Sequence, residues 1–206
     1  MARNVFISFR FSDGEEYKKE LCDLFDQSDD VVDYSEDEDR SGMTDDTIRE
    51  YLYAKLKQTS VTLVLLTPNA IEYNKNWLGQ YDDWLYDELR YSLEDRESNR
   101  TNGVVAIYTE DAKDLLIEES THKCSNCNQE KPVSLMKNVD NLARKNMMNI
   151  KPAYKKNPCY NLYDRLEDSY VSWVSFDEFV GDVNKFINNA LDKRNRKGEF
   201  DLVKRM

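Results

Sequence analysis

No stretch of this chain approaches the roughly 20 consecutive apolar residues that a bilayer-spanning helix needs. Its start, MARNVFISFR, passes straight into a strand pattern without a signal-peptide core. The expected location is therefore the cytosol, with no membrane partner. Positive charge is in deficit, since 29 Lys and Arg stand against 40 Asp and Glu for a net charge of −11. Such a surface repels nucleic-acid backbones and anionic bilayers at long range, so neither is expected as the main partner. Histidine occurs once, at His122, which excludes a Ser-His or Cys-His catalytic pair unless that residue serves. Glycine is scarce too: Gly14, Gly42, Gly79 and Gly103 each stand alone, so there is neither a dinucleotide fingerprint nor a Walker loop. The cysteines are Cys22, Cys124, Cys127 and Cys159. In a reducing compartment they read as thiols or metal ligands rather than a disulfide framework.

What is present is an alternation of strands and helices. Asn4 to Phe9 reads as a first strand, and Ser12 with Glu15 fits a capping box for a helix striped by Tyr17, Leu21, Leu24 and Phe25. Val31 and Val32 suggest a short second strand. An acidic loop, DYSEDEDRSGMTDD, follows, and Thr44 can cap a helix carrying Ile48, Tyr51, Leu52, Lys55 and Leu56. Val61 to Leu66 is an apolar run of strand length, as expected for a strand buried on both faces, and Thr67-Pro68-Asn69 ends it. Beyond it, Trp77, Tyr81, Trp84, Glu88 and Tyr91 recur at spacings of three and four, which predicts one helix with a carboxylate on an aromatic face. Gly103 to Tyr108 makes a fourth strand.

From Thr109 to Asp168 the pattern lapses into polar sequence, read as an insertion. Tyr170 to Phe176 is expected to be the last strand, and Ser175 with Glu178 to cap a final helix bearing Phe179, Val183, Phe186, Ile187 and Leu191. The basic tail from Lys193 is expected to fray. The whole predicts an α/β fold: a central parallel sheet with helices on both faces, and a polar insertion before the last strand and helix. The expected organisation is a single domain over residues 1–192, with 109–168 inserted, followed by the tail 193–206. Ligands of such sheets bind beyond the carboxyl ends of the strands, where the loops holding Arg10, Asp33 and Pro68 would share an edge.

Three pieces of the chain resemble a TIR domain: NVFISFRFSD, SVTLVLLTPNAI, and Trp84-Leu85-Tyr86-Asp87-Glu88-Leu89 against the family's Trp-x-x-x-Glu-(Leu/Ile) helix. Within that superfamily the sequence is most similar to stand-alone TIR-like proteins of bacterial Thoeris anti-phage defence. The resemblance covers about the first 110 residues and implies a flavodoxin-like TIR fold. It further implies an enzyme that takes NAD as substrate and cleaves it between nicotinamide and ribose. The product would be free ADP-ribose, a cyclic isomer or a conjugate, acting as a signal on a separate effector, and self-association would complete the site. By the same resemblance Glu88 is the catalytic carboxylate, and Phe9, Arg10, Asp33 and Trp84 border the substrate. Placing Trp77 at the motif tryptophan would put Tyr81 at the catalytic position, so the register of Trp84 and Glu88 is preferred.

Other readings stand beside these. Trp84 can stack on nicotinamide or adenine, or simply fill the core. Arg10 can meet a pyrophosphate or Glu88, or form a surface ion pair. The acidic loop, offset only by Arg40, is poorly suited to a diphosphate. His122, Cys124, Cys127 and Cys159 could supply a structural zinc, or the thiols could be inert. A TIR adaptor acting only through protein contact is the alternative to the enzyme, and a flavodoxin-like nucleotide binder a third reading.

Overall fold

A computed structural model describes residues 3–27, 31–34, 45–95, 100–137, 139–157, 159 and 161–206. In chain order the elements are β1 (Arg3–Ser8), α1 (Phe11–Asp26), β2 (Val31–Asp33), α2 (Asp45–Leu56), β3 (Val61–Leu66), α3 (Trp84–Leu93), β4 (Gly103–Tyr108) and α4 (Glu110–Leu116). They continue with β5 (Ile117–Lys123), β6 (Glu130–Met136), α5 (Leu142–Lys145), β7 (Val171–Ser175), α6 (Phe176–Gly181) and α7 (Val183–Asn195). Five strands form one parallel sheet in the order β2-β1-β3-β4-β7. This is the α/β architecture that the alternation of elements predicts.

Burial on both faces explains the unbroken apolar runs of β3 and β4, buried along their whole length. Alternate residues serve opposite layers. Val5, Ile7, Val61, Leu63, Leu65, Val105 and Ile107 pack with Leu21 and Phe25 of α1 and with Phe179, Phe186 and Ile187 behind the sheet. Val64, Leu66, Val104 and Ala106 face Leu85, Leu89 and Leu93 of α3. Each such apolar side chain stabilises the fold by roughly 1.5–3 kcal/mol when fully buried. A Cβ added to Gly103 would lie 2.2 Å from the Ala190 carbonyl oxygen, so glycine is what lets α7 seat directly on β4.

Several expectations give way. Helix α1 begins at Phe11, with Arg10 as its N-cap and no side-chain cap, because the Gly14 N–H already bonds the Arg10 carbonyl; the Ser12–Glu15 box is not formed at its start. The helix expected from Trp77 begins only at Trp84. Residues 71–83 instead form a loop closed by a bridge between Lys75 and Tyr81, with Gly79 at φ +77° in its turn. Asn76 Oδ1 accepts from the N–H groups of Leu78 and Gln80, stabilising the turn where the aromatic spacing suggested a helix. The final helix is two, divided at Asp182, whose side chain caps the second; the Ser175–Glu178 capping box before them is present. Thr44, the side chain of Ile48 and most of the acidic loop lie outside the described residues.

The tail does not fray. Lys193 is fully buried and donates to the Leu166 and Ser169 carbonyls and to Ser172 Oγ. Phe200 is buried and bridges Ile150, while Arg205 pairs with Glu94 at 2.8 Å. The segment 109–168 is also structured. It contributes α4, the antiparallel hairpin β5–β6 and α5, whose cap Asn141 accepts from Tyr73 Oη and donates to the Ile71 carbonyl. It thereby holds the loop that leads into α3. Among the described residues no helix is long and apolar enough to cross a membrane.

Candidate functional site

Ser8 is the last residue of β1 and shares a sheet face with Phe6, the face on which α2 and α3 pack. On α3, Leu85, Leu89 and Ser92 are buried, and Glu88 lies within that phase. The two elements therefore bring a hydroxyl and a carboxylate together: Ser8 Oγ donates to Glu88 Oε2 at 2.5 Å, and Glu88 is only 9% exposed. Because Ser8 ends its strand, the carboxylate stands at the carboxyl edge of the sheet, where open parallel sheets bind ligands.

A buried chain of hydrogen bonds runs beneath it. Asn102 Nδ2 donates to Thr62 Oγ1 at 3.2 Å, Thr62 and Ser92 hydroxyls lie 2.7 Å apart, and Ser92 Oγ donates to the Glu88 carbonyl at 2.8 Å. These bonds fix α3 on β3 by polar contacts as well as by apolar packing, with a defined rotation about the helix axis.

The start of α3 is fixed by Asp83. Its Oδ1 accepts from Leu85 N at 3.0 Å and Tyr86 N at 3.4 Å, satisfying two of the helix's orphan donors. Its Oδ2 accepts from Asn74 N at 2.5 Å and from the Arg10 guanidinium. Arg10 Nε also donates to the Asn69 carbonyl at 2.8 Å. The loop after β1 is thus tied to the helix carrying Glu88, and Arg10's ion-pair partner is Asp83.

Of the residues singled out by sequence, Arg10, Trp84 and Glu88 converge on this arrangement. Trp84 is half-buried, one turn before Glu88, and packs against the cluster of Phe6, Leu52, Leu56 and Tyr91, which favours a core role for at least part of the ring. Phe9 is half-buried and pairs with Phe11 at a ring separation of 4.7 Å. Asp33 stands level with Val5, three residues short of Ser8, and accepts from Cys22 Sγ at 3.2 Å. Sequence reasoning misses Ser8 and reads Asp83, with Asp82 and Asp87, as solvated charge, whereas Asp83 is buried as the N-cap of α3. The signals were a lone hydroxyl at the end of an apolar strand and an acid immediately before the motif tryptophan.

The cysteines form a second centre. Sγ atoms of Cys124, Cys127 and Cys159 lie within 4.8 Å of one another, whereas His122 is outside this group, exposed on β5 opposite Lys131. Backbone N–H of Cys127, the Cys159 thiol and the N–H of Asn126 hold the Cys124 thiol down to about 7. Cys22, on α1, is not part of this group and donates to Asp33.

A family profile described as Thoeris protein ThsB, TIR-like domain, matches residues 6–114, just over half of the 206-residue chain. The match begins at β1 and includes β3 and α3, and hence Ser8, Arg10, Asp83, Trp84 and Glu88. The chain belongs to the TIR-like domain family of the Thoeris protein ThsB, and with it to anti-phage defence.

Proposed function

We propose that this chain cleaves NAD at the bond between nicotinamide and ribose and makes an ADP-ribose-derived signal that acts on a separate effector. The observation that carries this reading is the Glu88 carboxylate, buried at the carboxyl edge of the sheet and oriented by Ser8. As the C1′–N bond breaks, its electron pair leaves with nicotinamide and positive charge grows on the ribose. A fixed carboxylate beside the ring stabilises that charge most in the transition state. A nucleophile then bonds to C1′ and loses its proton. Water yields ADP-ribose, an adenine nitrogen yields a cyclic isomer, and another acceptor yields a conjugate. In this reading Phe9 and Trp84 wall the pocket and Asp33 borders it on the β2 side. Arg10 serves through Asp83, holding the loop to the helix.

The test is nicotinamide release from NAD by the purified protein, compared with Glu88→Ala and Glu88→Gln, alone and with lysate of phage-infected cells. The expected result is release by the wild type and none by either variant. Release that survives both substitutions overturns the site. No turnover by wild type in any condition favours the alternative, an adaptor acting by protein contact.

Self-association belongs to the same proposal. Trp77 is 91% exposed beside exposed Leu78 on the loop before α3, a costly arrangement in water unless another surface covers it. Sedimentation of wild type against Trp77→Ser is expected to show loss of the dimer; a wild-type monomer with full turnover overturns it.

A further inference from the structure

The hairpin β5–β6 has little to hold it. At its base Ile117 and Met136 are paired and buried, but the rest of β5 is exposed and β6 buries nothing else among its described side chains. An isolated two-stranded hairpin is marginal in water, and elements without a core of their own need a staple. At its tip the chain makes a Cys-x-x-Cys turn, in which Cys124 N bonds the Gln129 carbonyl, Asn128 N bonds the Cys124 carbonyl, and Asn128 takes a left-handed φ of 55°. Asn128 is one of only two such non-glycine residues among those described. Cys159 arrives from a segment 32 residues beyond Cys127, its own N–H held by Asn157 Oδ1 at 2.9 Å and its carbonyl by the Lys155 ammonium at 2.5 Å.

We infer that Cys124, Cys127 and Cys159 form a zinc site that staples the tip of the hairpin to the segment around Cys159. Four-coordinate zinc with sulfur at about 2.3 Å sets its ligands about 3.8 Å apart. The separations here, 3.2 Å between Cys124 and Cys159 and none above 4.8 Å, bracket that value. Thiolates are soft ligands and select zinc over magnesium or calcium. A disulfide between Cys124 and Cys159 would use two of the sulfurs and leave the third, and the turn built around it, without purpose. Among the described residues no further His, Cys, Asp or Glu ligand atom joins this group, and His122 stands outside it. This site lies beyond the family-matched region and does not depend on NAD cleavage.

The experiment uses the full chain, expressed and purified under reducing conditions without chelator. Zinc is counted by elemental mass spectrometry, and cobalt(II) is titrated into metal-free protein. One zinc per chain is expected, with the thiolate-to-cobalt charge-transfer and tetrahedral visible bands on titration. Cys124→Ser and Cys127→Ser should lose both signals, and His122→Ala should lose neither. Circular dichroism reports whether each variant folds, and if Cys124→Ser does not, alkylation of wild-type thiols with and without zinc takes its place, with protection of three thiols expected. Metal-free protein that shows no cobalt bands and no zinc protection, or an intact-mass and peptide map showing a Cys124–Cys159 disulfide, overturns the proposal. Loss of zinc from His122→Ala overturns the ligand set.

Discussion

Ser8 Oγ and Glu88 Oε2 are 2.5 Å apart although 80 residues separate them in the chain, and the contact joins the end of β1 to the middle of α3. A hydrogen bond to a charged group contributes about 1.5–3 kcal/mol, and about 1.4 kcal/mol is tenfold in rate. Ser8→Ala is therefore expected to lower kcat for nicotinamide release about tenfold or more with little change in KM, because the bond positions the carboxylate and touches no substrate. Ser8→Thr should restore much of the rate. Equal loss in both variants would mean that strand packing, rather than the hydroxyl, matters.

Asp83 is buried and answers three backbone N–H groups and the Arg10 guanidinium. Asp83→Ala removes a helix cap and leaves a largely enclosed cation without its partner. A loss of about 3 kcal/mol is expected by urea unfolding. Arg10→Lys, which keeps the charge and loses the fork, should cost about 1 kcal/mol.

Burial lowers the Lys193 ammonium to about 7 from its ordinary 10.5, with nearby Glu167 opposing the shift. Between those values the unfolded chain binds more protons than the folded one, so this residue makes stability rise with pH across that window, at up to about 1.4 kcal/mol per pH unit. Tyr73 and Tyr170 act in the other direction, since burial raises both phenols and their contribution is lost only as pH climbs past the ordinary tyrosine value. Urea midpoints at pH 7 to 9.5 should rise more for wild type than for Lys193→Met. Parallel pH profiles would show that burial does not weaken the hold of Lys193 on its proton.

Gly103→Ala places a methyl group against the Ala190 carbonyl, a backbone atom that cannot swing aside. Overpacking of this kind costs about 1–3 kcal/mol. A melting temperature lowered by several degrees is expected.

Much of the sheet was legible because its central strands are buried on both faces and must be apolar throughout, which is why Val61 to Leu66 and Gly103 to Tyr108 were placed at their observed limits. The glutamate was legible only through the motif around it. The helix start was not, since Trp77, Tyr81 and Trp84 share a helical spacing that Asn76, Gly79 and Asp83 override by bonding the backbone into a turn and a cap. The region after Thr109 gave no periodicity for two reasons. Its hairpin buries neither face along most of its length, and α5 spans a single turn held by Asn141. Lys193 reads as tail in the sequence because a buried lysine carries no sequence mark; its acceptors come from segments 21 to 27 residues earlier.

The sheet order β2-β1-β3-β4-β7 has a consequence for how the molecule is made. Until residues 171–175 emerge, β4 is an open edge, and the layer formed by Val105 and Ile107 lacks Phe179, Phe186 and Ile187. The family-matched half therefore lacks the strand that covers this edge. It waits on a closure spanning more than 60 residues, and expressed alone it would expose a long hydrophobic edge prone to aggregate.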